Sequence, residues 1–313
     1  MKQKSMELFL WIWTSMFLCC INTGLHGEGK DMELQIFLTK TEIILYEPVW
    51  IIYTIKNNTS SMQRTTASFI SNDGRMKLNI LNIAHNEEDR EKQKSSGFHA
   101  DSFFIPYIQL PPGTAFIGEI GISSRVEKVG KYEIQLEVDW FTQYESWKNG
   151  DISRVISKKP ILSNVVNLVV NYPLNEQDIL AVKLLEAEGR KIETWKKILT
   201  DYPESTYAKY ARYYTSKISD YKEIIKQDPT FELNDYLLYK LAKFYYVTGK
   251  DELAKKELEE ALQTYPTSIW KNIMTQLLQK IIDPNNPYQP KLVEYPKPVE
   301  DFLRGKTKGK QTK

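Results

Sequence analysis

Few residues in this chain of 313 carry reactive chemistry. It holds three histidines, His26, His85 and His99, and two cysteines, Cys19 and Cys20. His85 and His99 share the charged segment 84–101 with Glu87, Glu88, Asp89 and Asp101. Imidazole and carboxylate groups ligate metals, but metal sites place them at short, repeated intervals that this segment does not show. A run of charge is ordinarily a solvated loop, and the segment is read as one, with no metal. There is no Gly-x-Ser-x-Gly, no phosphate-cradling glycine loop, no His-Glu-x-x-His and no Cys-x-x-Cys. Paired carboxylates such as Glu87-Glu88 and Glu259-Glu260 fall in polar stretches, without the apolar pocket that would shift a pKa toward catalysis. The expectation is a binding protein, not an enzyme, with no catalytic residue and no cofactor.

Binding chemistry is better represented. Tyr144 and Trp147 stand just before Asn149-Gly150-Asp151, a hairpin-tip sequence within the excursion 141–159. Aromatic rings on a loop can stack on sugars, which gives one reading: a surface or periplasmic protein whose β half binds glycan. The net charge of +2 argues against a nucleic-acid partner, because neutralising phosphates takes a clear excess of Lys and Arg. Hydrophobic residues at 42% and charged residues at 26% are ordinary for a chain that buries a core.

Three kinds of segment would position these residues. Lys2 and Lys4 lead into the apolar run 8–21, followed by polar residues from Asn22. That order marks residues 1–29 as a secretory signal segment. The run is shorter than the roughly 20 residues a membrane span needs. Export to the periplasm, cell envelope or exterior is therefore expected. Membrane contact would come only through this segment, left uncleaved, or through acylation of Cys19 or Cys20, whose preceding residues fit a lipoprotein signal poorly. With the segment removed, no cysteine remains for a disulfide.

Residues 30–171 carry apolar periodicity two. Leu34, Ile36 and Leu38 alternate with polar residues; Val49, Ile51, Tyr53 and Ile55 form a second stretch, and Met76, Leu78 and Ile80, then Phe116, Ile120 and Ile122, follow. The longest run is Tyr132, Ile134, Leu136, Val138 and Trp140, and residues 165–170 close the region. Strict alternation predicts strands with one buried face. About seven of them, separated by Pro, Gly and Asn turns, predict an antiparallel β-sandwich. Gly130-Lys131-Tyr132 has the form of a tyrosine corner, in which the phenol ties the strand entry to nearby backbone. The segment LYEPVWIIYTIKNNTS resembles the second strand of bacterial immunoglobulin-like domains, with a Glu-Pro turn before the strand and an Asn after it.

At Tyr172-Pro173 the period changes to about 3.6, the repeat of an α-helix. Asn175 is placed to cap a first helix, and Gly189 to end it. Short apolar stripes then follow in pairs, punctuated by Tyr202-Pro203, Asp228-Pro229 and Tyr265-Pro266. Residues 235–266 resemble the tetratricopeptide-repeat (TPR) family. Leu238, Leu241, Ala242 and Tyr245 match its first helix, Ala254, Leu258 and Ala261 its second, and Pro266 its end. Ala242 and Ala254 are small where two such helices touch. Residues 202–211, YPESTYAKYA, are also similar to tetratricopeptide segments of bacterial envelope assembly proteins.

The expected architecture is multidomain, β then α: a signal segment, an immunoglobulin-like β-sandwich, TPR-like helical repeats over 172–283, and a Pro-rich, basic, disordered tail over 284–313. The resemblance implies a concave groove that binds a protein or peptide partner through Arg212, Tyr236, Tyr239, Lys243 and Tyr246. Residues on such a groove should be dispensable for folding. The leading expectation is an exported, non-catalytic adaptor or scaffold.

Overall fold

The computed structural model describes residues 31–66, 76–83, 106–138, 140–144, 155–157, 160–287 and 289–294. Residues 1–29, read as a signal segment, both cysteines, all three histidines and Trp147 lie outside these residues, as do residues 84–101. A β region occupies the first part of the described chain, and seven α-helices follow it.

Three hydrogen-bonded sheets form the β region. The first has the order β1 (Met32–Leu38), β3 (Trp50–Asn57), β7 (Ala115–Gly121), all antiparallel. The second is built on β8 (Gly130–Val138), which pairs with β5 (Met76–Asn82), β11 (Ile161–Leu162) and β12 (Val166–Asn171). β12 in turn pairs in parallel with β2 (Glu42–Ile44). The third runs β10 (Val155–Ser157), β9 (Trp140–Tyr144), β4 (Gln63–Thr66), β6 (Pro106–Leu110), β13 (Lys291–Glu294).

The alternation in sequence explains which faces pack. Met32, Leu34, Ile36 and Leu38 of β1 are buried, as are Tyr132, Ile134, Leu136 and Val138 of β8. β3 departs from this rule, because Trp50, Ile51, Ile52 and Tyr53 are all buried. A strand read as half-wet is thus covered on both faces at one end. The tyrosine corner forms as expected: the Tyr132 hydroxyl donates to the Lys128 carbonyl at 2.6 Å.

The first two sheets are joined by a side chain. Between β11 and β12, Ser163 keeps contact with β8, its amide donating to the Leu136 carbonyl and its hydroxyl accepting from the Leu136 amide. Asn164 turns the other way. Its carboxamide accepts from the Ile36 amide at 2.8 Å and donates to the Ile36 carbonyl at 3.0 Å. It thereby satisfies the outward backbone groups of one β1 residue as a neighbouring strand would.

The helices are α1 (Glu176–Glu188), α2 (Ile192–Asp201), α3 (Thr206–Thr215), α4 (Tyr221–Gln227), α5 (Asn234–Val247), α6 (Asp251–Thr264) and α7 (Lys271–Ile282). Asn175 caps α1, accepting from the Asp178 amide at 2.7 Å, a contact of about 0.5–2 kcal/mol. Gly189 and Gly249 follow α1 and α5 with φ of 77° and 71°, a left-handed conformation that glycine adopts without strain. Ala242 of α5 and Ala254, Leu258 and Ala261 of α6 are fully buried, so small residues let this pair approach.

Sheets and helices share one hydrophobic cluster, and the described residues from Met32 onward form one compact unit. The change of periodicity near residue 172 marks where strands give way to helices within that core. The segment after α7 also differs from expectation. Composition predicts a disordered tail over 284–313, whereas Lys291–Glu294 pairs antiparallel with β6 as β13. Prolines at 290 and 296 exclude a helix there, yet they leave a short edge strand between them unimpeded.

Candidate binding cleft

The cleft forms where the helices meet the free edge of β7. That strand is entered through Pro111-Pro112-Gly113, where Gly113 has φ 73° and the Thr114 hydroxyl donates to the Pro111 carbonyl at 2.8 Å. Among the described residues β7 is an edge strand, paired only with β3. Gly118 at its centre is required by packing: a Cβ there would stand 2.2 Å from Cζ of Tyr53, whose ring lies across it. From the helical side, α5 brings Tyr239, Lys243 and Tyr246, and α7 brings Gln276 and Lys280. Together they enclose a cleft of about 580 Å³.

Helix geometry puts these groups on one wall. Lys243 lies one turn after Tyr239, and Lys280 one turn after Gln276. Gln276 performs for β7 what Asn164 does for β1. Its amide nitrogen donates to the Ala115 carbonyl at 2.8 Å, and its oxygen accepts from the Ile117 amide at 3.2 Å.

The electrostatics are one-sided. Glu119 of β7 meets Lys243 at 3.4 Å and Lys240 at 3.9 Å, both through the same oxygen. Its other oxygen is buried and has no hydrogen-bond partner among the described residues. Lys243 stands over the Tyr239 ring and Lys280 over the Tyr246 ring, each at 5.6 Å, cation–π contacts of about 0.5–1 kcal/mol. Among the described residues no carboxylate lies within ion-pair distance of Lys280. Burial pushes the Lys280 ammonium below its ordinary pKa, and burial does the same to Lys240 against the opposing pull of Glu119. Burial, then the negative charge of Glu119, holds the Tyr239 phenol well above its usual range. The cleft therefore has apolar and aromatic walls, excess positive charge and a strand edge at its base.

The five residues expected on a groove do not share one open surface. Tyr239, Lys243 and Tyr246 line the cleft, and Arg212 is exposed on α3 outside that lining. Tyr236 and Tyr239 do not lie on an open surface: each is 3% exposed. Tyr236 packs against Trp50 of β3 at 4.7 Å and against Trp270 at 4.5 Å between ring centroids, and Tyr239 stacks on Trp270 at 6.4 Å. Trp50 of the first sheet covers Tyr236 and Trp270 covers both, so these two tyrosines belong to the core instead of an open face. Glu119, Gln276 and Lys280 were not anticipated. Only Gly118 offered a signal, since glycine inside a strand marks a close approach.

A second hollow of about 470 Å³ lies past the other end of β7, beside Gly121 and Ser123. Its cation is already engaged: Arg190 donates to the Ser123 carbonyl at 2.6 Å and to Glu127 at 2.9 Å. Among the described residues no group of three or more His, Cys, Asp or Glu side chains is placed to hold a metal ion. No helix among them is long and apolar enough to cross a membrane. No protein-family model matches this chain, and no curated protein matches it.

Proposed function

We propose that this protein is a non-catalytic binding protein, an adaptor or scaffold that holds a short segment of a protein partner in the cleft between β7, α5 and α7. In this reading the helical half is a divergent TPR-type array and the β half an immunoglobulin-like sandwich. The spacing of Leu238, Leu241, Ala242, Tyr245, Ala254, Leu258, Ala261 and Pro266 supports the first, together with the packing of their small residues. The basic lead and apolar run before residue 30 support an exported location.

One observation carries the reading: an apolar cleft whose rim holds Lys280, a half-buried cation without an anionic partner among the described residues. A desolvated charge left unpaired costs free energy that a ligand can recover. A cavity of about 580 Å³ has the size of a small-ligand site. It suits a short chain segment, not the surface of a folded domain.

The test compares the native protein with the rim variant Lys243→Ala, Tyr246→Ala, Lys280→Ala. All three side chains sit on the rim, so each substitution should shift stability by no more than about 0.5–1 kcal/mol. The variant should stay folded and lose the partner that co-purifies with the native chain from its host. A folded variant that keeps its partner would place binding elsewhere, with the excursion over 141–159 the next region to test.

A further inference from the structure

The edge of β7 is closed over only half its length. Along this strand the amides and carbonyls of alternate residues point away from β3. Gln276 shows which ones, since it bonds the Ala115 carbonyl and the Ile117 amide, whereas the Ile122 amide faces β3 and bonds Val49. The next outward groups are the Ile117 carbonyl, the amide and carbonyl of Glu119, and the Gly121 amide. Among the described residues none of these four has a hydrogen-bond partner. Gly121 is exposed.

Resting on the cleft reading above, we infer that the occupant is an extended, acidic segment of a partner chain that adds to β7 as a strand over Ile117–Gly121. An antiparallel strand satisfies all four groups at once, and alternate side chains then point toward the helices and away from them. The charge of the site selects the sign of the segment. Lys243 and Lys280 line the cleft and Lys240 also reaches Glu119, the one carboxylate of the cleft lining among the described residues, which leaves the wall positive. The tail of this same chain, RGKTKGKQTK over 304–313, has the wrong charge for that wall. Gln276 marks the inner end of the added strand, because its carboxamide already fills the next pairing position.

Gly121 gives a clean probe. It has no side chain to lose, and a Cβ placed there meets only the Trp50 indole among the described residues, Nε1 at 3.5 Å and Cδ1 at 3.6 Å, both ordinary contacts. Its amide points outward, so Gly121→Pro removes one bond of the proposed pairing and leaves the pairing with β3 intact. Gly121→Ala keeps the amide. Peptides would be selected on the full chain from a random library of extended octapeptides. Their affinities would then be compared across the two Gly121 variants and the rim variant.

Strand addition requires acidic sequences that bind Gly121→Ala like the parent and Gly121→Pro about tenfold more weakly. It also requires that the Glu119 and Gly121 amides exchange slowly with solvent only in the complex, a measurement on the native chain that decides the matter if Gly121→Pro does not fold. Peptides lost by the rim variant but indifferent to Gly121→Pro, with those amides unprotected, overturn strand addition and leave the cleft reading standing. Peptides indifferent to both variants, or no selected peptide at all, overturn both.

Discussion

Two of the joints that fasten the helices to the sheets are built on opposite principles. One is dry. Trp50 of β3 meets Tyr213 of α3, Tyr236 of α5 and Trp270 at the start of α7, with centroids 6.5, 4.7 and 5.9 Å away. The other is polar. Glu47 accepts from the Tyr210 hydroxyl at 2.8 Å and from the Ile44 amide at 2.8 Å, and it pairs with Lys40. Lys40 also reaches Glu232 at 2.6 Å, and the Tyr207 hydroxyl donates to the Leu45 carbonyl. Tyr210 has one proton and two carboxylate neighbours, Glu47 and Glu232, so Lys40 must neutralise the pair. Burial, then Glu47, pushes the Tyr210 phenol far above its ordinary range, which keeps it a donor. The dry joint supplies stability without direction. The polar joint adds little net energy, and its directional hydrogen bonds orient α3 on the β2–β3 turn.

That contrast predicts unequal losses. Trp270→Ala empties the centre of the dry joint, where the indole is 2% exposed. Truncating a buried Trp costs about 3–5 kcal/mol. The loss should appear in one unfolding transition followed alike by β and α signals in circular dichroism, because both halves share the core. Helices that melt in a separate, earlier step would show that the joint is only a contact between two cores.

Glu47→Ala strikes the polar joint and should cost less, about 1–3 kcal/mol, from donors left without an acceptor. The Ile44 amide loses its partner outright, whereas Lys40 and Tyr210 keep Glu232. Glu47→Gln retains the acceptor oxygen and should recover part of the loss in urea unfolding. Equal losses for Ala and Gln would mean that charge, not hydrogen bonding, holds this joint.

Both joints expose the limit of reading periodicity. Alternation at β1 and β8 was legible because each strand shows one apolar and one polar face. β4 (QRTT), β6 (which begins at Pro106) and β13 were not, since short strands with proline or polar residues acquire their identity from a partner distant in sequence. The helical stripe likewise tells which residues share a face but not what covers it. Tyr236, Tyr239 and Lys243 were placed correctly on one helix, yet Trp50 covers the first and Trp270 both tyrosines, while Lys243 stays open. Glu119 and Gln276 acquire meaning only where β7 and α7 meet. Glu47 was legible as part of a Glu-Pro turn but not as the centre of a joint, because its partner Tyr210 belongs to a helix.

The smallest effect concerns a single carboxylate behind the dry joint. Asp235 accepts from the Ser268 hydroxyl at 2.6 Å, and the Ser268 oxygen accepts from the Trp270 amide at 3.0 Å, so a polar chain fixes the tryptophan from behind. Burial raises the Asp235 pKa above its ordinary 3.8, against hydrogen bonds from Ser268 and the Tyr236 amide that favour the charged form. A folded-state pKa above the unfolded value means that the native protein holds this proton more tightly. Its contribution to stability is then fully present below the ordinary carboxylate range and is lost as pH rises through the raised pKa. Asp235→Asn cannot ionise. Subtracting its urea midpoint from that of the parent, between pH 3 and pH 7, cancels every other carboxylate and isolates this one. The parent should lose ground to the variant as pH rises. The opposite slope would mean that the N-terminus of α5, which favours negative charge in its first turn, outweighs burial, and that the dry joint rests on an ionised aspartate.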